Sequence, residues 1–397
     1  MPVRTRADRV ARSHTLAAAA FRLGGLFLVG AIGWGALLLT RDDPIWWGPL
    51  HAFLTGTVLL AISGATQLFS TTWSASPPAD RRVGAAQRWL LAVGGLGVVV
   101  GYTRRSDWLV IAGATLVGLA LVALGWMLAD VVRRSLLRRF DWATRFYLLA
   151  LGCGVVGVTL GAIVGSGGVV GGAFLDLRTA HMHLNLVGLV GFTIVGTLPT
   201  LLPTTVRHRM VSGRELRVAF YGCAIAALLM VAGVLVGPEV VGVGTALAGL
   251  AGLLVLGGIV VRLGPRRILG AGFPAVMITT GALWLVGWAL NQAWVLLMVG
   301  HRIYATATVI GVIGVALVLF GSLSYLVPVL AGPGERLTAN FARMQGWSWP
   351  RVIVANTAAL AVLVGLPAVV VAVIGGVFLV DFLVRVGLVV VRGRGTT

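Results

Sequence analysis

Six histidines are the side chains best able to do chemistry in this 397-residue chain. Four of them, His51, His181, His183 and His301, stand at the starts of long apolar segments. His14 lies in the N-terminal tail and His208 among arginines, and both read as solvated. Neutral imidazole is the commonest metal ligand, and ionisable groups at membrane depth are expensive and usually functional. One histidine from each of two neighbouring helices can clamp a haem iron from both sides. His181 and His183 are two residues apart, which puts them about 200° apart around a helix, so they cannot both face one centre. His183 is the expected ligand, with His51 as its opposite and His301 in reserve; His181 then faces a neighbour, a propionate or water. Arg178 and Arg302 fall at the same level. Their guanidinium forks suit carboxylates, haem propionates included, and suit lipid headgroups equally. Three readings of the histidines stay open: haem, copper or another bare ion, and imidazoles that only bond backbone and water. Met182 is the only thioether beside them in sequence, which gives a soft copper(I) site little support.

The elements that hold these residues must be membrane helices. Apolar residues make up 58% of the chain, charged residues only 11%, and mean hydropathy is +0.98. A soluble exterior needs far more charge, so a soluble enzyme, a disordered chain and a nucleic-acid-binding domain are excluded. Windows of about 20 apolar residues predict an all-α polytopic membrane protein. About twelve transmembrane helices fall at 18–40, 46–70, 86–103, 107–132, 144–166, 179–203, 217–237, 239–261, 270–298, 301–330, 351–367 and 369–390. The last two are parted only by Leu366-Pro367, where proline breaks a helix. The N-terminal apolar run is too long for a signal-peptide core and reads as a retained first helix. Of 31 basic residues, all arginine, 24 fall in loops on the side of the N-terminus and five on the other. The positive-inside rule then predicts a multi-pass protein of the cell membrane with both termini cytoplasmic. Trp46, Trp47, Trp108 and Trp294 mark outer boundaries. Cys153 and Cys223 form no CxxC and read as buried hydrophobes.

On this topology the outer histidines fall on helices 2, 6 and 10, and their surroundings repeat. Counted from His51 and His183, Leu54 matches Leu186, Gly56 matches Gly188, Val58 matches Val190, Ile62 matches Ile194 and Gly64 matches Gly196. A third copy aligns Gly196-Thr-Leu198 and Leu201-Leu-Pro203 with Gly321-Ser-Leu323 and Leu326-Val-Pro328. There Thr308 takes the histidine position, and His301 stands two turns earlier. The expected organisation is one membrane domain, 1–397, in a pseudo-threefold four-helix repeat (1–70 with 340–397, 80–210, and 211–335). The paired glycines let helices, or a flat macrocycle, approach closely. Asp381, four residues before Arg385, is expected to pair with it. Gly165–Gly172 lacks the Lys-Ser/Thr of a phosphate loop and reads as a flexible outer loop.

Twelve helices, the threefold repeat and the His181-Met-His183-Leu-Asn-Leu-Val-Gly-Leu-Val-Gly to Thr197-Leu-Pro-Thr-Leu-Leu-Pro203 stretch resemble the catalytic subunits of haem–copper oxidases. They are similar to a divergent branch that includes proteins of the bacterial nitric-oxide response and others called copper oxidases. As architecture the likeness covers nearly the whole chain; as motif it covers three short segments. It implies that His51 ligates a low-spin haem b and that His181 or His183 stands where the family has a copper ligand. It implies, too, that a redox partner protein or a quinol supplies electrons. Helix 7 lacks the family's adjacent histidines and helix 10 has only His301. The three-histidine copper centre is therefore missing, and no acidic relay runs through helices 1 to 10. The expected function is a b-type haem protein that passes electrons or binds a small gas, an oxidoreductase if it is an enzyme. The alternatives are a non-enzymatic protein that handles copper or haem or assists a redox complex, and, less favoured, a transporter. Lipid is the expected surrounding, and nucleic acid is not a partner.

Overall fold

A computed structural model describes residues 6–41, 45–135, 141–209, 213–300, 305–332 and 335–392. Those residues form helices and no strands. In chain order they are α1 (Arg6–Leu38), α2 (Trp47–Ser74), α3 (Arg81–Thr103), α4 (Asp107–Arg133), α5 (Asp141–Gly165), α6 (Gly171–Thr205), α7 (Arg214–Val236) and α8 (Pro238–Leu263). A short α9 (Pro265–Gly270) precedes α10 (Phe273–Met298), α11 (Ala305–Ala331), α12 (Glu335–Gln345), α13 (Ser348–Leu363) and α14 (Ala368–Arg392). Helices are the only open-chain solution in lipid, since every backbone group must be bonded within the segment. Eleven of the described helices are long and apolar enough to cross a bilayer. The protein is an all-α, multi-pass chain suited to a membrane.

The twelfth expected span is α13. At 16 residues it is about 24 Å long, short of a hydrocarbon core of about 30 Å. It ends before Gly365, whose φ of 73° breaks the helix ahead of Pro367. Helix α1 begins at Arg6, so His14, expected in a tail, is helical and half-buried. Between α5 and α6 the glycine-rich stretch makes a short turn, with Gly167 and Gly171 at φ 70° and 66°.

Contacts divide the chain into two compact units. Unit 1 is Met1–Gly196, Phe220–Ala248 and Ala293–His301; unit 2 is Thr197–Ala219, Gly249–Gln292 and Arg302–Thr397. In each, helices meet on glycine. Within unit 1, a Cβ on Gly94 would lie 2.7 Å from the Gly113 carbonyl, and one on Gly113 would lie 2.5 Å from Val98 N. In unit 2, a Cβ on Gly281 would lie 2.6 Å from Val318 N. Helix association in lipid rests on such close backbone packing, because lipid tails are as apolar as leucine.

Unit 2 also carries a charged clasp. Asp381 takes Arg385 Nε at 2.9 and 3.0 Å, as its spacing predicts, and Arg351 Nε at 2.5 Å. The same arginines donate to the last carbonyls of α12: Arg385 Nη1 to Arg343 O at 2.6 Å, and Arg351 Nη1 to Met344 O at 2.7 Å. Those carbonyls have no partner within their helix, and cations there are favoured by the helix dipole. Arg351 also stacks over Phe273, 4.0 Å from the ring centre. Cys153 and Cys223 are buried free thiols.

Candidate functional site

The described histidines of interest lie in unit 1 on α2 and α6. Each helix carries a π-helical segment that begins directly after a histidine: Ala52–Val58 after His51, and Leu184–Gly191 after His183. The wider π turn loosens the ordinary backbone ladder and is frequent at functional sites. Side-chain donors take up carbonyls around it. His51 Nδ1 bonds Trp47 O at 3.0 Å, and Thr55 Oγ1 donates to His51 O at 2.7 Å. His183 Nδ1 bonds Thr179 O at 2.8 Å, and Asn185 Nδ2 donates to His181 O at 2.8 Å.

The equivalence of His51 and His183 extends to the neighbouring helix. A Cβ on Gly56 would collide with Phe27, and one on Gly188 with Cys153. A Cβ on Gly64 would meet Ala20 and the Ala17 carbonyl; one on Gly196 would meet Phe146 and the Ala143 carbonyl. The three pairs Phe27/Cys153, Ala20/Phe146 and Ala17/Ala143 are each 126 residues apart. These glycines therefore seat a preceding helix, α1 or α5, rather than a macrocycle. In the third copy α11 is α-helical throughout, with Thr308 at the histidine position and Ile313 where the others have Gly56 and Gly188.

The ring that comes beside His51 is His181. Their centres are 6.5 Å apart and their planes 8° from parallel. Helix α5 makes room for this. Gly157 and Gly161 form a groove: a Cβ on Gly161 would lie 2.5 Å from His181 Cε1, and one on Gly157 2.6 Å from Asn185 Nδ2. His181 Nδ1 reaches across to the Gly157 carbonyl at 2.7 Å. Asn185 Nδ2 also lies 3.2 Å from His181 Nδ1. A carbonyl at 2.7 Å requires the proton on Nδ1, so Asn185 bonds His181 O instead. All three imidazoles thus place Nδ1–H on a backbone carbonyl and present Nε2 as the lone-pair nitrogen, the usual second-shell arrangement of metal-ligating histidine.

Rings of Trp47 and Tyr102 extend the cluster. Trp47 stacks on His51 with centres 3.9 Å apart, and Tyr102 on Trp47 at 3.8 Å. His51 and His181 are half-buried, and His183 is fully buried. Arg178 is exposed, with its guanidinium 6.0 Å from the Phe174 ring. His301 and Arg302 lie outside the described residues. Among the described residues no three His, Cys, Asp or Glu side chains gather as a metal centre.

Two imidazoles sharing one metal through Nε2, each at about 2 Å, have ring centres about 6 Å apart. The tautomers of His51 and His181 and their 6.5 Å separation match two imidazoles on opposite sides of one metal ion. Gly157, Gly161, Asn185, Trp47 and Tyr102 join the site beyond the sequence-based set. The readable signal for the first two was their small-xxx-small spacing on α5. No protein-family model matches the chain, and no curated protein is detectably similar to it.

Proposed function

We propose that the chain is a b-type haem-binding protein of the cell membrane, of the haem–copper oxidase type without the three-histidine copper centre. It passes electrons or binds a small gas near the outer face. The observation that carries this reading is the near-parallel His51–His181 pair at 6.5 Å, each ring with its tautomer set by a backbone carbonyl. His51 and His181 would hold the iron, and His183, equivalent to His51 in its backbone setting, is fully buried with its Nδ1 on the Thr179 carbonyl. Bound haem supplies one-electron chemistry or a gas-binding iron; the chain orients the imidazoles and keeps the site among apolar helices. The arginine split, counted on twelve spans as 24 to five, supports a cytoplasmic N-terminus, which sets the histidines at the outer side, within reach of a redox protein or a quinol.

A bare copper ion on the same two nitrogens is the second reading, which makes the protein a copper or haem handler. It is favoured by the close packing of Gly157, Gly161, Asn185 and Trp47 around the rings, because an ion needs no macrocycle slot. Absorption spectra of protein from haem-replete cells, oxidised and reduced, with metal analysis, decide between them. A Soret band is expected, lost in His51→Ala and His181→Ala. Stoichiometric copper with no Soret band would support the second reading, and neither haem nor metal would reject both.

A further inference from the structure

Away from the histidines, near the Ser74 end of α2, unit 1 contains a small cavity between α1, α2 and α4. It leaves about 10 Å³ for the centre of a water-sized sphere, and Ser13, Gln67, Thr71, Ala79 and Met127 are among its walls. Gln67 is 7% exposed, and its Oε1 is buried with no hydrogen-bond partner. The amide is not free to turn, because Nε2 already donates to Ser63 O at 3.0 Å and lies 3.1 Å from Ser63 Oγ. The hydroxyls are also committed. Thr71 Oγ1 donates to Gln67 O at 2.8 Å, so at the 2.7 Å contact between Ser13 Oγ and Thr71 Oγ1 the proton must come from Ser13. The cavity therefore faces a carbonyl acceptor and the remaining lone pairs of Ser13, with the donors of Ser13, Gln67 and Thr71 already used.

We propose that this cavity binds one water molecule, which donates to Gln67 Oε1 and to Ser13 Oγ. The volume is at the size needed for a single water. An unpaired acceptor in a membrane interior is costly, and two O–H donors match the two acceptors offered. An ammonium or metal cation would present the same donors or charge. It is disfavoured because no carboxylate lines the cavity, and because Arg12 stands at its lip, donating to Ala79 O at 3.0 Å. The bound water joins the Ser13–Thr71 pair to Gln67, Ser63 and Gln87, the last two linked by a 2.8 Å bond from Ser63 Oγ to Gln87 Oε1. A hydrogen-bonded chain then runs from Ser13 on α1 through Gln67 and Ser63 on α2 to Gln87 on α3.

X-ray radiolytic footprinting of the whole protein in detergent tests this, because radicals formed from a bound water oxidise the side chain beside it. Met127 lines the cavity and is 2% exposed; Met230 and Met277 are fully buried and do not line it. Met127 should oxidise about fivefold or more faster than those two, as expected for a hydrated rather than a dry site. Gln67→Leu, or Ser13→Val if the first variant fails to remain monodisperse, should bring Met127 down to their rate. Equal rates in the unaltered protein, or a Met127 rate unchanged in a folded variant, would overturn the proposal. An unaltered-protein rate that responds to ammonium or sodium concentration would overturn it in favour of a cation.

Discussion

The α1–α2 and α5–α6 pairs are two versions of one structure, and the way they differ locates the site. Both have a histidine with Nδ1 on the carbonyl four residues back, a π segment directly after it, and glycines that seat the preceding helix. Only α6 adds an imidazole two residues earlier, His181, where α2 has Pro49. Only α5 offers both glycines of the groove; the positions matching Gly157 and Gly161 on α1 are Ala31 and Gly35. The shared scaffold thus fixes where a histidine stands, while the cross-helix pair arises from what the second copy adds. The third copy keeps the second glycine as Gly321 but lacks the histidine and the glycine five residues after it, and runs as plain α-helix.

The comparison can be tested at its seats first. Gly56→Ala drives a methyl into the Cβ and ring of Phe27, with 2.1 Å to the ring. It should destabilise by about 3 kcal/mol as an overpacked core position. Gly188→Ala meets the smaller Cys153 at 2.7 Å and should lose about 1–2 kcal/mol, recovered in part by Cys153→Gly. Thermal unfolding midpoints in detergent rank the two, and the reverse order would break the equivalence. The groove comes next. Gly161→Ala should displace the His181 ring, with a loss of about 1–2 kcal/mol and of any cofactor absorption. Gly35→Ala, whose Cβ would meet only Trp46 at 3.6 Å, should be neutral or stabilise by a few tenths to about 1 kcal/mol through helix propensity. Equal effects at the two sites would remove the distinction between the copies. Smallest is Asn185→Leu, which deletes the bond to His181 O and should reduce stability by about 1 kcal/mol, read by the same melts. No change there would show that the π segment does not need that side chain.

Much of this is legible in the sequence. Hydropathy marks the spans because lipid imposes a length and an apolar composition on each helix. Histidine and glycine spacing exposed the repeat, since a seat for a neighbouring helix recurs wherever the fold recurs. Which of His181 and His183 approaches His51 was not legible. That depends on how far each helix is rotated, and the rotation is set by π segments that no local propensity announces. The groove at Gly157 and Gly161 was obscured in a chain with 56 glycines. The brevity of α13 is hidden because Val364 and Leu366 keep the sequence apolar across the turn at Gly365. The amphipathic α12 is not legible in the sequence, because arginine and glutamate between spans look like ordinary loop.

Each π turn carries a consequence for everything downstream of it. One residue fewer within Ala52–Val58 would turn the rest of α2 by about 100° about its axis. Ser63, Ser70 and Thr71, now directed at Gln87, Thr144 and Ser13, would then sweep toward other neighbours or the lipid. A single-codon deletion near the imidazole would therefore be felt at the far end of the same rod, so the two ends of α2 cannot vary in length independently.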